Sequence, residues 1–306
     1  MRLLLYSFLL ISTVVLVSGC QNQTASNEIS TYTSGKVNLV VDETFKPIIE
    51  DQTYVFESTY PAGKLNLIYK PENEVLNLFL TDSVRVAILS RELTASETKY
   101  YENKNIKLRI NRFAVDGIAL ITQQSNPDSL VTVAEIISVM KGQPGAIKGL
   151  VFDNPNSSTV RYLKELAGVN ELPEKGVYAL KTNRDVIGYV NKNPGSIGVI
   201  GINWIVQPEE DLEKIVEGLK IIGVKNLPGK AGSDGYYKPN QNDLAMGNYP
   251  LTRNLYIING EGRAGLGTGF ASFLAGERGQ RIVLKSGLLP DSIPSRQVII
   301  NNNINN

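Results

Sequence analysis

Short runs of apolar and β-branched residues alternate along this chain with longer amphipathic stretches. That alternation narrows the fold more than any other feature. Lys36 to Val41 (KVNLVV) predicts a strand, and Lys46 to Tyr60, with Ile48, Ile49, Val55 and Phe56 spaced along it, a helix. Leu65 to Tyr69 predicts a second strand, Glu74 to Thr81 a helix, and Val84 to Leu89 a third strand. The order βαβαβ implies a parallel α/β sheet with helices on its faces. A second block begins near Phe113. Its expected strands are Ala119–Thr122, Leu150–Phe152, Val177–Ala179, Ser196–Ile202 and Gly218–Val224, and its helices Thr132–Lys141, Thr159–Ala167 and Asn183–Asn193. The chain returns through a strand at Tyr249–Ile258 and helices at Phe270–Ala275 and Gly279–Lys285. Gly287 then stands where a helix-ending glycine belongs, followed by Pro290. So much chain exceeds one compact core. Two α/β lobes are expected, each with its own sheet and each presenting ligand sites at the carboxyl ends of its strands.

The amino terminus carries a different signal. Arg2 is followed by an almost unbroken apolar run from Leu3 to Val17, closed by Val17-Ser18-Gly19-Cys20. The run is short and ends on small residues, the pattern of a secretory signal peptide over residues 1–19. Small residues directly before a cysteine resemble the bacterial lipobox, so Cys20 is the expected lipidation site. The chain would be exported and held on a bacterial membrane by acylated Cys20, facing the periplasm or the cell exterior. Residues 20–35 are polar and aperiodic, as suits a tether, and Asn301 to Asn306 forms an asparagine-rich end.

Composition removes several function classes. The sequence has no histidine and one cysteine, Cys20. Ser-His-Asp and Cys-His nucleophilic sites, histidine-ligated metals and an intrachain disulfide are therefore excluded. Neither a metal nor a cofactor is expected, and the balance shifts from enzyme towards binding protein. The chain carries 31 basic and 30 acidic side chains. Arg2 departs with the leader, so the formal charge of the remainder is near zero, and no nucleic-acid partner is implied. The glycine-rich stretch Gly260–Gly269 lacks the Lys–Ser/Thr pair of a phosphate loop and reads as a connection.

Three strand-to-helix turns could carry chemistry. They are Asp42-Glu43-Thr44-Phe45-Lys46-Pro47, then Ser90-Arg91-Glu92, then Asp153-Asn154-Pro155-Asn156-Ser157-Ser158-Thr159. Helix N-termini bind oxyanions through free N–H groups and the positive end of the helix dipole. Hydroxyls add donors, and an arginine can add a bidentate contact. Thr44 is placed to cap its helix, with Pro47 in the first turn. Each turn taken alone is equally an ordinary cap.

These residues, in this order, resemble the PstS-like phosphate-binding proteins, the solute-binding lipoproteins of phosphate ABC transporters. The matching pieces are Gly35–Pro47, Val86–Leu93, Phe113–Leu120, Asn156–Thr159, Asn193–Trp204, Tyr249–Tyr256 and Gly276–Pro290. The resemblance implies a type II periplasmic-binding-protein fold, two lobes joined by crossover strands. Lobe 1 would hold 36–114 plus 255–300, and lobe 2 would hold 115–254. The crossovers would lie near Ala114–Leu120 and Tyr249–Ile258. Phosphate or a similar small anion would be captured between the lobes by Thr44, Phe45, Ser90, Arg91, Ser157, Ser158 and Thr159, and passed to an ABC permease in the inner membrane. The chain also departs from the family pattern. Asp153 stands where an arginine usually precedes the Ser-Gly-Thr turn, and Ser90 where an aspartate accepts the phosphate proton. Glu72-Asn73-Glu74 replaces the serine or threonine that opens the second helix. Arg91 is then the candidate cation, and Asp153, Glu72 and Glu74 are candidate proton acceptors. The alternative is a different small ligand on the same scaffold, or a surface or signalling role without transport.

Overall fold

The computed structural model describes residues 30–292. The leader, Cys20, most of the tether and the asparagine-rich end lie outside the described residues. Eight strands form the main path of one curled sheet. The first three are β1 (Gly35–Asp42), β2 (Gly63–Lys70) and β3 (Val86–Leu89), in spatial order β2-β1-β3, all parallel. Helix α1 (Lys46–Thr59) connects β1 to β2, and α2 (Glu72–Leu80) connects β2 to β3. The expected βαβαβ unit is thus present. Strand β1 is buried on both faces, which explains its nearly continuous apolar run. Leu39 and Val41 join a core with Ile48, Ile49 and Phe56 of α1, whereas Val40 joins Val75 and Phe79 of α2 on the opposite face.

Helix α3 (Ala95–Asn103) has no counterpart in the sequence expectations. Of its nine residues only Tyr101 is buried, so it shows no apolar period. It is fixed by a capping box in which Thr94 and Glu97 exchange hydrogen bonds.

Strand β4 (Arg109–Gln123) is far longer than the predicted Ala119–Thr122. Its first half pairs antiparallel with β11 (Thr252–Asn259), and its second half with β8 (Ile197–Gly201) and β9 (Leu219–Ile221). The expectation that each lobe keeps its own sheet is therefore corrected. The path runs β2-β1-β3-β11-β4-β8-β6-β7, continuous because β4 and β11 span both lobes.

The second lobe is built from β5 (Leu130–Thr132), α4 (Val133–Met140), β6 (Leu150–Phe152), α5 (Ser158–Ala167), β7 (Val177–Ala179), α6 (Asn183–Lys192) and β8. Short helices α7 (Asn203–Val206) and α8 (Glu213–Glu217) lead to β9 and β10 (Gly223–Lys225). The single strand expected over Gly218–Val224 is two strands. The Ile222 N–H donates to Leu120 O, and beyond it β10 leaves the main sheet to pair with β5. Helix α9 (Gln241–Ala245) precedes β11. The last elements, α10 (Leu266–Ala275), α11 (Glu277–Lys285) and β12 (Leu289–Pro290), return to the first lobe. Phe270 and Phe273 of α10 meet Phe56 of α1 edge-on, with ring centres 5.3 and 5.4 Å apart. Gly287 follows α11 with φ +81°, the left-handed conformation that favours glycine.

Candidate functional site

The carboxyl ends of β1 and β6 face each other across the lobes, with β4 and β11 beneath them. At the end of β1 the chain makes a 3-10 turn, Glu43–Phe45, capped by Asp42. Asp42 Oδ1 accepts from the Thr44 N–H at 3.1 Å. Asp42 thus caps the 3-10 turn, whereas α1 starts after Phe45 with no side-chain cap, so Thr44 does not take the capping role expected of it. Thr44 turns its hydroxyl towards the other lobe and donates to Asp153 Oδ2 at 3.4 Å. Its carbonyl accepts from Trp204 Nε1 at 2.9 Å and from Asn203 Nδ2 at 3.4 Å. Phe45 is fully buried next in sequence.

At the end of β6, Ser157 caps α5 by accepting from the Val160 N–H, and its hydroxyl donates to Asp153 Oδ1 at 2.6 Å. Ser158 and Thr159, in the first turn of α5, meet a guanidinium that the sequence reading did not single out. Arg253 of β11 donates through Nη1 to Ser158 Oγ at 2.8 Å and to Thr159 Oγ1 at 3.3 Å. Its Nε donates to Asp116 Oδ2 of β4 at 2.9 Å. Its plane lies over the Phe45 ring, 4.7 Å from the centroid. Asn183, at the start of α6, donates to Glu43 Oε2 at 2.7 Å and to Asp153 Oδ2 at 3.2 Å, tying a third turn into the cluster.

The cluster is acidic and buried. Asp42, Thr44, Asp116, Asp153, Ser158 and Thr159 are at most 1% exposed, and Arg253 is 5% exposed. Burial pushes the Asp42 carboxyl up to about 7, with the Glu72 charge adding to the rise and Arg253 opposing it. Burial likewise raises Glu43 to about 7, against the hydrogen bond from Asn183. Asp116 and Asp153 are also raised by desolvation, while Arg253 pulls both back. Several buried polar atoms have no hydrogen-bond partner: Asp42 Oδ2, Asp116 Oδ1, Asn183 Oδ1, Asn203 Oδ1 and Arg253 Nη2. Nη2 lies 2.9 Å from Asp116 Oδ2, but its protons find no aligned acceptor. Buried polar atoms without partners are costly and mark where a bound molecule would supply hydrogen bonds.

The other expected residues form a second network beside the first. Ser90, at the end of β3, donates to Glu72 Oε1 at 2.9 Å and accepts from Arg161 Nη2 at 2.7 Å. Arg91, the candidate cation, is instead committed to Glu97, with both Nη atoms 2.8 Å from its carboxylate oxygens. The capping box of α3 holds that carboxylate in place, and together they draw Arg91 off. Glu74 is half exposed and pairs with Lys70 at 3.1 Å, so it faces solvent rather than the cluster. Thr44, Phe45, Asp153, Ser157, Ser158 and Thr159 are therefore brought together, and Arg91 and Glu74 are not. The sequence signal for Arg253 was its being the lone charged residue in the strand expected over Tyr249–Ile258. For Arg161 it was a position one turn beyond the α5 cap. Among the described residues no group of carboxylates is arranged to hold a metal, and no helix is long and apolar enough to cross a membrane.

Comparison with known proteins bears on the family and the fold. The phosphate-binding protein PstS of Staphylococcus saprophyticus is 24% identical over 207 residues, covering 64% of this chain and 61% of that protein. PstS of Staphylococcus aureus strain USA300 is 22% identical over 234 residues, 71% of this chain and 66% of that protein. The chain thus spans less than two thirds of the length of these curated relatives. Among solved structures, a transporter substrate-binding protein from Clostridium perfringens with bound phosphate superposes with a TM-score of 0.69. It is 19% identical and covers 84% of this chain and all of that one. An ABC-type phosphate transport receptor from Vibrio cholerae superposes at 0.62, with 18% identity and the same coverage. The model of the PBP superfamily domain matches residues 26–278, so this chain belongs to the PBP superfamily.

Proposed function

We propose that this chain is an extracytoplasmic solute-binding lipoprotein that captures inorganic phosphate, or a related oxyanion, for an ABC permease. The observation that carries the reading is Arg253, a buried guanidinium set against the hydroxyls of Ser158 and Thr159 at the N-terminus of α5. Such an arrangement binds oxyanions through charge, N–H and O–H together. Thr44, the Phe45 backbone and Ser157 complete the ring of donors, and Arg253 takes the role expected of Arg91. Asp42 and Glu43, raised to about 7, carry protons below neutral pH and can then donate to an oxyanion instead of repelling it. No bond is made or broken: the lobes, 36–114 with the C-terminal helices and 115–254, close on the ligand by bending at β4 and β11. Anchoring through acylated Cys20 would keep the receptor beside its permease.

Calorimetric titration of the phosphate-stripped full chain tests the reading. Saturable heat with phosphate supports it, and no heat up to millimolar phosphate overturns it. A second reading, another small ligand on the same scaffold, is favoured by one observation. Four of the five unpartnered cluster atoms are acceptor oxygens, which suit a ligand that donates hydrogen bonds. Native mass spectrometry of the protein as purified separates the two, because a co-purified mass other than phosphate identifies the second.

A further inference from the structure

The contact between Glu72, Ser90 and Arg161 joins the lobes beside the oxyanion cluster, through a buried bidentate ion pair. Glu72 opens α2 in the first lobe, and its side chain is fully buried. One carboxylate oxygen accepts from Ser90 Oγ at 2.9 Å and from Arg161 Nη2 at 3.2 Å. The other accepts from Arg161 Nε. Arg161 belongs to α5 in the second lobe, so this bidentate pair crosses the cleft. The same guanidinium is steadied within its own lobe by Glu165, 3.0 Å away. Beside it, the backbone and side chain of Asn73 each meet Asn156 of the other lobe at 3.3 Å. A carboxylate at a helix N-terminus, gripped by an arginine and a serine hydroxyl from opposite walls, has the surroundings a bound anion would have.

We propose that Glu72 is a built-in anion that closes the cleft: gripped by Arg161 and Ser90, it holds the two lobes together when no ligand is bound. The assignment rests on the two-lobe fold and not on the identity of the ligand. It makes Glu72 and Arg161 residues that set apparent affinity, because an incoming ligand must first separate this pair or enter during its brief opening. Only the fraction of molecules open to entry binds, and apparent affinity falls with that fraction. Losing a charge-assisted hydrogen bond typically shifts such an equilibrium about 10- to 100-fold.

The test measures lobe separation without ligand. The full chain carries Cys20→Ser, so that labels attach only at Lys99→Cys in α3 and Glu171→Cys beyond α5, both exposed. Double electron–electron resonance of the ligand-stripped protein is expected to give one short, narrow distance. Glu72→Gln, and separately Arg161→Gln, are expected to lower the closed-to-open ratio at least tenfold and populate a longer distance. Arg161 is partly exposed, so its variant folds even if the buried Glu72 position tolerates change poorly. A long distance in the unsubstituted ligand-free protein overturns the proposal. So does a short distance that persists in Arg161→Gln. Neither result depends on whether phosphate binds.

Discussion

At the scale of single residues, Arg253 is the side chain whose loss has the clearest consequence. Arg253→Gln removes the charge facing Ser158 and Thr159 and leaves Asp116 buried without its cation. Breaking a buried pair this way costs about 3–5 kcal/mol of stability. Loss of the charged contact weakens oxyanion binding by about 10- to 100-fold. Thermal unfolding and titration calorimetry read the two effects separately. A variant with unchanged affinity would remove Arg253 from the binding site. The acidic residues give a pH dependence of definite sign. Asp42 and Glu43 are raised to about 7 in the folded protein, from 3.8 and 4.5. Between those limits the folded state binds more protons than the unfolded state. These two carboxyls therefore contribute stability that is fully present below about pH 4, is lost as pH rises towards 7, and then levels. Oxyanion affinity weakens over the upper part of the same range, as the two carboxyls lose the protons they would donate. Asp42→Asn is expected to flatten part of the stability slope, measured by denaturant midpoints from pH 4.5 to 8. A slope of opposite sign would show that these carboxyls are ionised in the cleft.

At the scale of elements, the aromatic contact between α1 and α10 ties the end of the chain to its beginning. Phe56 lies within 5.5 Å of the rings of Tyr60, Phe270 and Phe273 and is fully buried. Phe56→Ala is expected to cost about 3–5 kcal/mol. Its signature is a lowered thermal midpoint with little change in ligand affinity once folded, because the ring lies away from the oxyanion cluster. Gly269 is a tighter constraint, since a Cβ there would sit 1.8 Å from the Tyr32 carbonyl oxygen. Gly269→Ala therefore forces α10 off the segment leading into β1 and lowers the midpoint, although alanine is the better helix former. Elements of this kind were legible in the sequence wherever burial imposed a period. The order of β1, α1, β2, α2 and β3 followed from alternating apolar runs, and so did α4 to α6. Helix α3 was not legible, because a polar surface helix held by its caps has no apolar stripe. The turns around Thr44 and Ser157 were legible from their residue types. The cation was not, because Arg253 and Arg91 look equally available in one dimension. Only the capping box of α3 shows that Arg91 is engaged elsewhere, and only the pairing of β4 with β11 brings Arg253 under α5.

At the scale of the whole molecule, ligand binding and stability are linked through the gap between the lobes. A ligand that binds only the folded protein stabilises it by about 2.7 kcal/mol at one hundred times its dissociation constant. Phosphate at that concentration should raise the thermal midpoint by several degrees, with a much smaller rise in Arg253→Gln. Equal rises in both proteins would locate the anion somewhere other than this cluster. The lobes also meet through the Lys46–Glu209 ion pair at 2.6 Å, with Arg184 bonded to the same carboxylate and to Asp211.

The route of β11 sets the order in which the molecule can be completed as it is synthesised. The chain emerges amino terminus first, and β1 to β3 appear early. Their partner β11 and the covering helix α10 arrive only after the whole second lobe has been made. Until then the β3 edge is unpaired, and the Phe56 side of α1 lacks its cover. The second lobe, by contrast, is largely contiguous in sequence and can pack as soon as β8 appears, with β4 already in place to pair with it. A nascent chain paused short of residue 252 should therefore protect the β6–β8 region from protease while β1 to β3 stay vulnerable. The arginine that gives the cluster its charge is then delivered only after the whole second lobe, so the cluster cannot be assembled before that lobe has been made.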